Sequence, residues 1–220
     1  MGQRSQIYVR LSEEQKDGSI EKSLTARYYQ WNYGERMVSR ARGLVEWLKD
    51  TDYLGYNKNK IARIADVNFD YKDVVISQDI LEEAKEWDYE ENESVNDFIF
   101  DEQDNNDGQL FIDVKIPYAE EKPKKILIGF RDMGKDTVMN ALEYMEWDMG
   151  DDDKPWQDSF KKYYPASADE IIDMTLKNAA YIDENAKLMT QEQLMDFLND
   201  DYEKICNIER HIVKDEREDR

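Results

Sequence analysis

Apolar and polar residues alternate at the start of the chain and then change to a helical period. Residues 6–11 alternate strictly, as in a β-strand with two different faces. A turn signal at 16–18 separates them from a Tyr- and Trp-rich stretch at 23–33, so the two segments predict a β-hairpin. From residue 35, apolar side chains recur every three or four positions. They predict an amphipathic helix over 35–49.

The next part of the chain predicts two further helices. Residues 57–65 have the pattern of a short helix, whereas 74–76 are ambiguous. Ser77 is a suitable N-cap for the second helix, because its hydroxyl can accept a backbone hydrogen bond. The apolar face of that helix would be formed by Ile80, Leu81, Ala84 and Trp87.

Three short apolar runs follow, and they indicate a β-meander. The runs cover 97–100, 110–116 and 125–130. The first two are separated by Asp, Asn and Gly residues at 104–108, which is a strong hairpin signal.

The C-terminal part of the chain is helical in its pattern. Residues 136–147 predict one helix, and the capping-box sequence at 167–170 opens a second that extends to about residue 187. Another cap at 190–193 opens a third helix. Residues 214–220 are all charged and are expected to fray.

This order of elements predicts an α+β fold. The sheet is expected to be antiparallel, built from the N-terminal hairpin and the three-stranded meander, with about six helices on one side. A chain of 220 residues is expected to form one domain over 1–220. A subdivision into a sheet-containing part, 1–132, and a helical part, 133–213, is compatible with the pattern.

Composition excludes several kinds of site. The chain has one cysteine, Cys206, and one histidine, His211, so neither a disulfide nor a zinc site of several Cys and His residues is expected. A Ser-His-Asp triad would depend on that single histidine in a charged tail. We therefore expect no metal, no cofactor and no catalytic residue.

The net charge of the chain indicates which kinds of molecule it can bind. Lys and Arg number 30 and Asp and Glu 51, which gives a net charge of −21. Such a charge repels nucleic acid and anionic membranes and favours basic proteins. Without a long apolar segment or an N-terminal leader pattern, the expected location is the cytoplasm.

Carboxylates cluster in three parts of the chain, and each cluster is a candidate partner-binding surface. Residues 79–107 contain 13 acidic residues and a single lysine. Spacings of three and four residues would place part of this cluster on one face of a continuing helix. The candidates are Asp79, Glu82, Glu83, Glu86, Glu90 and Glu93 in the first cluster, Glu143, Glu146, Asp148, Asp151, Asp152 and Asp153 in the second, and Asp196, Asp200, Asp201 and Glu203 in the third.

The clusters have two interpretations. Duplex DNA carries one charge per about 1.7 Å of its axis, and rows of carboxylates can offer a basic channel a comparable charge density. The alternative is an acidic surface that serves solubility alone.

Basic and aromatic residues are interleaved at 27–33, and Arg36, Arg40 and Arg42 follow. This pattern could stack on nucleic-acid bases. We favour a sheet core with arginines paired to the chain's own carboxylates, because the overall charge opposes nucleic acid.

A metal-dependent nuclease is an alternative. Asp113 and Lys115 form a D-x-K triplet, and Asp97 or Asp101 lies upstream. This arrangement resembles PD-(D/E)xK nucleases, in which two carboxylates bind Mg²⁺ and the lysine lies near the attacking water. The proline of that motif is absent before both upstream aspartates.

Two N-terminal stretches, 2–10 and 26–42, resemble uncharacterised small proteins of phages and mobile elements in Gram-positive bacteria. The resemblance covers about the first fifth of the chain and carries no catalytic residue. Small acidic proteins of such origin include anti-restriction and anti-CRISPR inhibitors that mimic DNA. By this analogy of class, the implied activity is inhibition of a host defence protein.

The sequence therefore predicts a non-enzymatic inhibitor that occupies the basic nucleic-acid channel of a defence protein, with a CRISPR effector of the Cas9 type as the expected target. Two alternatives stay open: the Mg²⁺-dependent nuclease, and a structural or assembly protein of a phage. The sequence leaves the oligomeric state open, including a homodimer.

Overall fold

The structure is a computed structural model, and it describes residues 3–50, 77–103, 107–118, 124–133, 137–151 and 154–213. The strands in this part of the chain are β1 (Arg4–Glu14), β2 (Ile20–Gln30), β3 (Ser77–Asp79), β4 (Asp88–Tyr89), β5 (Gln109–Ile116), β6 (Lys125–Arg131), β7 (Val138–Met139), β8 (Lys187–Leu188) and β9 (His211–Ile212). The helices are α1 (Gly34–Asp50), α2 (Ile80–Glu86), α3 (Val95–Phe100), α4 (Ala141–Met149), α5 (Trp156–Tyr163), α6 (Ala168–Asn185), α7 (Gln191–Leu198) and α8 (Tyr202–Ile205).

The predicted N-terminal hairpin and the helix after it are confirmed. β1 and β2 pair antiparallel from Arg4↔Gln30 to Glu14↔Ile20. α1 then buries its apolar positions against the sheet, as its period predicts. The predicted strands at 110–116 and 125–130 are also confirmed, and they form the antiparallel pair β5 and β6.

The fold is α+β, but its sheet is mixed and not purely antiparallel. In the described residues the strand order is β3-β2-β1-β5-β6-β7, and β8 also pairs with β6. β1 and β5 are parallel, from Gln6↔Gln109 to Glu13↔Ile116. Local turn signals predict hairpins between sequence neighbours, and they carry no information about this distant pairing.

The predicted strand at 97–100 is wrong, because these residues belong to helix α3. Ser94 accepts a hydrogen bond from the backbone of Asp97, and the Asp97 carboxylate accepts one from the backbone of Ser94. This capping box starts a helix at a run that is apolar enough for either structure. The meander therefore lacks its first strand.

The acidic helix is shorter than its charge pattern suggests. Asp79, and not Ser77, is its N-cap, and Ser77 lies in β3. The helix ends at Glu86, after which Tyr89 is fully buried and donates a hydrogen bond from its hydroxyl to the Ala84 carbonyl. Burial of this tyrosine turns the chain, so no continuous carboxylate row forms.

Helices cover both faces of the sheet, so the expectation of helices on one side is wrong. Along β1, Ile7, Val9 and Leu11 join a core with α1, α4, α5 and α6, which we call the α1 side. Tyr8 points to the other face and packs with residues of α2, α3, α7 and α8, which we call the α7 side. The strands β5 and β6 bury side chains on both faces, with a continuous apolar face on the α1 side and a face on the α7 side that also holds buried polar residues such as Asp113.

The C-terminal helices agree with the prediction in position and differ in detail. α4 begins at Ala141, because Asn140 caps it and residues 138–139 form β7. Ser167 precedes α6 without a side-chain cap, whereas Thr190 forms the predicted capping box of α7. α5 was not predicted, and α8 is a separate short helix.

Some predictions lie outside the described residues, namely the helix at 57–65, the ambiguous run at 74–76 and the frayed tail at 214–220. Each of the two cores contains residues from both sides of position 132. In the described part of the chain, no helix is both long enough and apolar enough to cross a membrane.

Gly108 tests how tightly β5 is held against α4. Its φ is +88°, and a Cβ at this position would lie 3.0 Å from both Trp147 and Tyr144. Gly18 has a similar φ of +83° with no atom within 4 Å of such a Cβ. We expect Gly108→Ala to lower the free energy of unfolding by about 2–4 kcal/mol in urea titrations, and Gly18→Ala by about 1 kcal/mol. Equal losses would contradict the packing described here.

Candidate functional site

A buried arginine lies at the centre of the α7 side. Arg10 is on β1, directly beside Asp113 of β5, and its side chain is 0% exposed. Its Nε and Nη2 donate to the two carboxylate oxygens of Asp113 at 3.1 and 3.0 Å. Nη2 also donates to Asp196 at 3.0 Å, and Nη1 donates to Asp200 at 2.9 Å. The guanidinium lies over the ring of Phe197, 4.6 Å from its centre.

Two lysines extend this network toward the surface. Lys22 contacts Asp200 at 2.6 Å, and Lys115 contacts Asp113 at 2.9 Å. Burial by itself raises the pKa of Asp200. The hydrogen bond from Lys22 and the charges of Lys22 and Arg10 lower this pKa by more than burial raises it, so the pKa lies below its ordinary value. The network thus joins β1, β2 and β5 to α7 and the segment that follows it.

The same contacts disfavour the nuclease interpretation. The Asp113 side chain is 3% exposed, and its oxygens are held by Arg10 and Lys115. The Asp97 carboxylate is engaged in the cap of α3, and Asp101 forms an ion pair with Arg131 at 3.7 Å. Among the described residues, no group of three or more His, Cys, Asp or Glu side chains could hold a metal ion.

Part of the first acidic cluster is exposed. Glu82, Glu83 and Glu86 of α2 are exposed, and so is Glu90. Glu82 pairs with Lys85 at 2.8 Å.

The ends of this cluster are engaged within the chain. Asp79 caps α2 and forms an ion pair with Arg27 at 3.4 Å. Glu93 accepts hydrogen bonds from Trp87 Nε1 and from the backbone of Glu90.

The third cluster lies on the same side of the sheet as the first. Asn96 of α3 donates to the carbonyls of Leu198 and Asp200, at 2.8 Å each, and this joins the two segments. Asp196 keeps a side chain that is 67% exposed in spite of its bond to Arg10, whereas Asp200 is largely enclosed. The exposed Asp201 caps α8 by accepting a hydrogen bond from the backbone of Lys204.

Further pairings complete the contact between the two clusters. Glu203 pairs with Arg210 at 3.3 Å, and Arg210 also donates to the Glu93 carbonyl. The strands β4 and β9 pair as well, with Asp88 opposite His211. The first and third clusters therefore border one surface.

The second cluster is on the α1 side, away from the other two. Glu143 belongs to the capping box of α4, and Glu146 accepts a hydrogen bond from the backbone of Trp156 at 3.3 Å. Both carboxylates are exposed, and so is Asp151. Residues 152 and 153 lie outside the described part of the chain. The structure therefore does not bring the three clusters together.

Asp148 is an enclosed carboxyl group and not a surface charge. It accepts hydrogen bonds from the backbone N–H of Gly34 at 2.6 Å and from the Tyr144 hydroxyl at 3.2 Å. Burial, with the charge of Asp107 nearby, raises the pKa of Asp148 to about 7. Burial also raises the pKa of Glu35 to about 7 and that of Asp107 to about 6.

The arginines after the N-terminal hairpin are used inside the protein. Arg40 is 1% exposed, donates to Asn32 at 3.1 Å and lies over Tyr29. Arg42 makes a two-pronged ion pair with Glu46, at 2.7 and 3.0 Å. Arg36 lies over the ring of Tyr33, 5.8 Å from its centre. Arg42 makes the predicted pairing with a carboxylate, whereas the contacts described for Arg40 are with Asn32 and Tyr29. Tyr29 lies in the core as predicted, but Trp31 is exposed.

A lysine-lined cavity escaped the sequence analysis. It has a volume of about 680 Å³ and lies beside the Arg10 network, with Lys22, Lys115 and Lys125 in its wall. Lys115 and Lys125 come from the neighbouring strands β5 and β6, whereas Lys22 comes from β2, about ninety residues earlier in the chain. Lys115 and Lys125 lie in strands that the sequence predicts as neighbours, but no local pattern connects them to Lys22.

Arg10→Met tests the buried network. We expect a loss of about 3–5 kcal/mol in the free energy of unfolding, because Asp113 would stay buried without its cation. Arg42→Met, which removes a more exposed ion pair, should cost about 1 kcal/mol or less. Urea titrations of the two variants measure the difference. An Arg10→Met variant as stable as the Arg42→Met variant would contradict the role assigned to Arg10.

Asp148→Asn tests the enclosed carboxyl. A pKa raised by folding means that the native state binds the proton more tightly, so this group makes the protein less stable as pH rises from about 4 to 7. The asparagine carries no such cost. We therefore expect the difference in melting temperature, Asp148→Asn minus the unmodified protein, to be larger at pH 8 than at pH 5.

Asp169→Asn is the matched control, because Asp169 is exposed on α6 and its replacement changes the net charge equally. The same pH trend in both variants would show that net charge, and not burial, is responsible.

No protein-family model, curated protein or solved structure matches this chain. Function is therefore inferred from the exposed carboxylates, the Arg10 network and the lysine-lined cavity of the structure itself.

Proposed function

We propose that this protein is a non-enzymatic inhibitor that occupies the basic nucleic-acid channel of a host defence protein. The contact surface is the acidic part of the α7 side, formed by α2, the residues after it, α7 and α8. The target class is a nucleic-acid enzyme of the bacterial cytoplasm, with a CRISPR effector of the Cas9 type as the first choice. No catalytic residue is required, because the inhibitor acts by blocking the channel.

The observation that supports this proposal most is the charge of one surface. Residues 79–93 carry eight acidic residues and one lysine, and residues 191–206 carry five acidic residues and one lysine. Contacts through Asn96 and Arg210 hold these two segments together. Such a surface attracts a basic channel and repels nucleic acid itself.

The opposite side of the sheet has a more balanced charge. α1 contains four basic and three acidic residues, and α5 contains two basic residues and one acidic residue. α4 adds three acidic residues and no basic one, and α6 adds five acidic residues and one basic residue. The helices of this side thus carry seven basic residues among twelve acidic ones, whereas the two segments of the α7 side carry two among thirteen. A surface that served solubility alone would have no reason to favour one side. The asymmetry therefore favours a partner that docks on the α7 side.

The internal ion pairs separate usable charges from structural ones. Asp113 and Asp200 accept hydrogen bonds from Arg10. Asp79 caps the N-terminus of α2 and forms an ion pair with Arg27. Glu83, Glu86 and Glu90 are exposed. We assign the contact to these three, with Glu82 and Asp196 beside them.

Charge reversal on α2 tests the proposal. We expect Glu82→Lys/Glu83→Lys to weaken binding to guide-loaded Cas9 about tenfold or more, since it places cations where the channel is basic. Binding of the unmodified protein should also weaken steeply from 50 to 500 mM salt, and a DNA target should compete with it. Binding is measured by biolayer interferometry with the immobilised effector.

The matched control is Asp169→Lys/Glu170→Lys on the α1 side. Both pairs lie in the first turn of a helix, and both changes raise the net charge by the same amount. The control should bind like the unmodified protein. Absence of binding to the effector, salt-independent binding or equal losses in the two variants would each refute the proposed mechanism.

A further inference from the structure

Four strands place three lysines and a serine in one row across the α7 side of the sheet. Lys22 of β2 is directly opposite Ser12 of β1, and Ser12 is the register partner of Lys115 on β5. Lys115 is in turn directly opposite Lys125 of β6. Direct partners in neighbouring strands share a face, so the order across the sheet is Lys22, Ser12, Lys115 and Lys125. The next row inward contains Arg10 and Asp113.

Without a ligand, this row of lysines lowers the stability of the folded protein. Lys115 and Lys125 are like charges at directly opposed positions, which destabilise a sheet. Lys125 is exposed and forms no ion pair with any described residue. In a chain with 51 acidic residues, a lysine that lies beside another lysine and has no ion pair within the described residues is not explained by a shortage of carboxylates.

The serine in the row has an unused hydroxyl group. Ser12 is 4% exposed, and its Oγ has no hydrogen-bond partner among the described residues. A buried hydroxyl without a partner destabilises the folded protein, because it has lost its hydrogen bonds to water. Because Ser12 lines the cavity, a ligand there could satisfy this group.

The carboxylates of the Arg10 network hold two of the ammonium groups in place. Asp200 holds Lys22 at 2.6 Å, and Asp113 holds Lys115 at 2.9 Å. An ammonium has three N–H donors, so each lysine keeps donors for a ligand. Ordered donors beside the Ser12 hydroxyl are what a compact oxyanion requires.

The remaining wall of the cavity sets the size and character of the ligand. Ile20, Ile116 and Pro117 provide an apolar surface next to the lysine row. A volume of about 680 Å³ fits a small organic molecule. Glu14 and Asp196 also line the cavity, and the surface beyond is acidic, which opposes a long polyanion such as nucleic acid.

We propose that this cavity binds a small phosphate monoester. Its phosphate dianion lies over Ser12 and Lys115, between Lys22 and Lys125, and its organic part lies against Ile20, Ile116 and Pro117. The site borders the acidic contact surface at Asp196, which lines the cavity, but it does not depend on the inhibitor function proposed above.

Calorimetric titration at pH 7.5 in low salt tests the site, since the phosphate is a dianion at this pH. The probes are adenosine monophosphate, glucose 6-phosphate, inorganic phosphate and succinate. We expect saturable binding of one equivalent of at least one monoester, and weaker binding of inorganic phosphate and succinate. No saturable binding of either monoester, or succinate binding as tightly as the better monoester, would overturn the proposal.

Lys125→Gln locates the binding. Since Lys125 has no ion pair with the described residues, its replacement should leave the fold intact and weaken monoester binding about tenfold. Lys161→Gln is the matched control, because Lys161 is an exposed lysine of α5 on the α1 side. Equal affinities of the two variants would overturn the assignment of the site.

Ser12→Ala separates a ligand-binding role from a structural one. Removing an unpaired buried hydroxyl should leave the melting temperature of the free protein unchanged or raise it. The same change should weaken monoester binding at least fivefold if the hydroxyl donates to the phosphate. An unchanged affinity would refute the role of Ser12 in binding.

Discussion

Arg10 sits on a central strand with no access to solvent, and a guanidinium in that position has to be surrounded by carboxylates. Asp113 comes from the neighbouring strand, whereas Asp196 and Asp200 come from α7 and the segment after it. One buried cation therefore fastens α7 and the segment after it onto a sheet whose long strands, β1, β2, β5 and β6, belong to the first 131 residues. The position of α7, and with it the acidic surface and the cavity, depends on this pairing.

The surplus of acidic residues is accordingly of two kinds. Some carboxylates serve the fold: Asp113 and Asp200 neutralise Arg10, Glu46 pairs with Arg42, and Asp148 accepts hydrogen bonds in an enclosed position. Others, on α2 and α8, are exposed to solvent on the α7 side. We assign the second kind to the proposed basic partner, although Glu82 and Glu203 also pair with Lys85 and Arg210. The first kind also orders the lysines that line the neighbouring cavity.

The hairpin, α1, the strands β5 and β6 and the capped helix α7 could be predicted because each has a local pattern. The run at 97–100 was misassigned because its apolar residues suit a strand or a helix, and the cap at Ser94 decided between them. The prediction of a continuous carboxylate row over 79–93 was wrong because of a tertiary contact. Burial of Tyr89 ends the helix at Glu86, and spacing alone does not show this.

The large negative charge of this protein, its lack of cysteine and histidine clusters and most of its regular segments follow directly from the order of its amino acids. Composition and periodicity are local properties, so they can be read directly. The tertiary structure alone decided which charges meet. The parallel pairing of β1 with β5 joins Arg10 to Asp113 and Ser12 to Lys115 across about a hundred residues. Such pairing depends on the burial of both sheet faces, which no short stretch of sequence encodes.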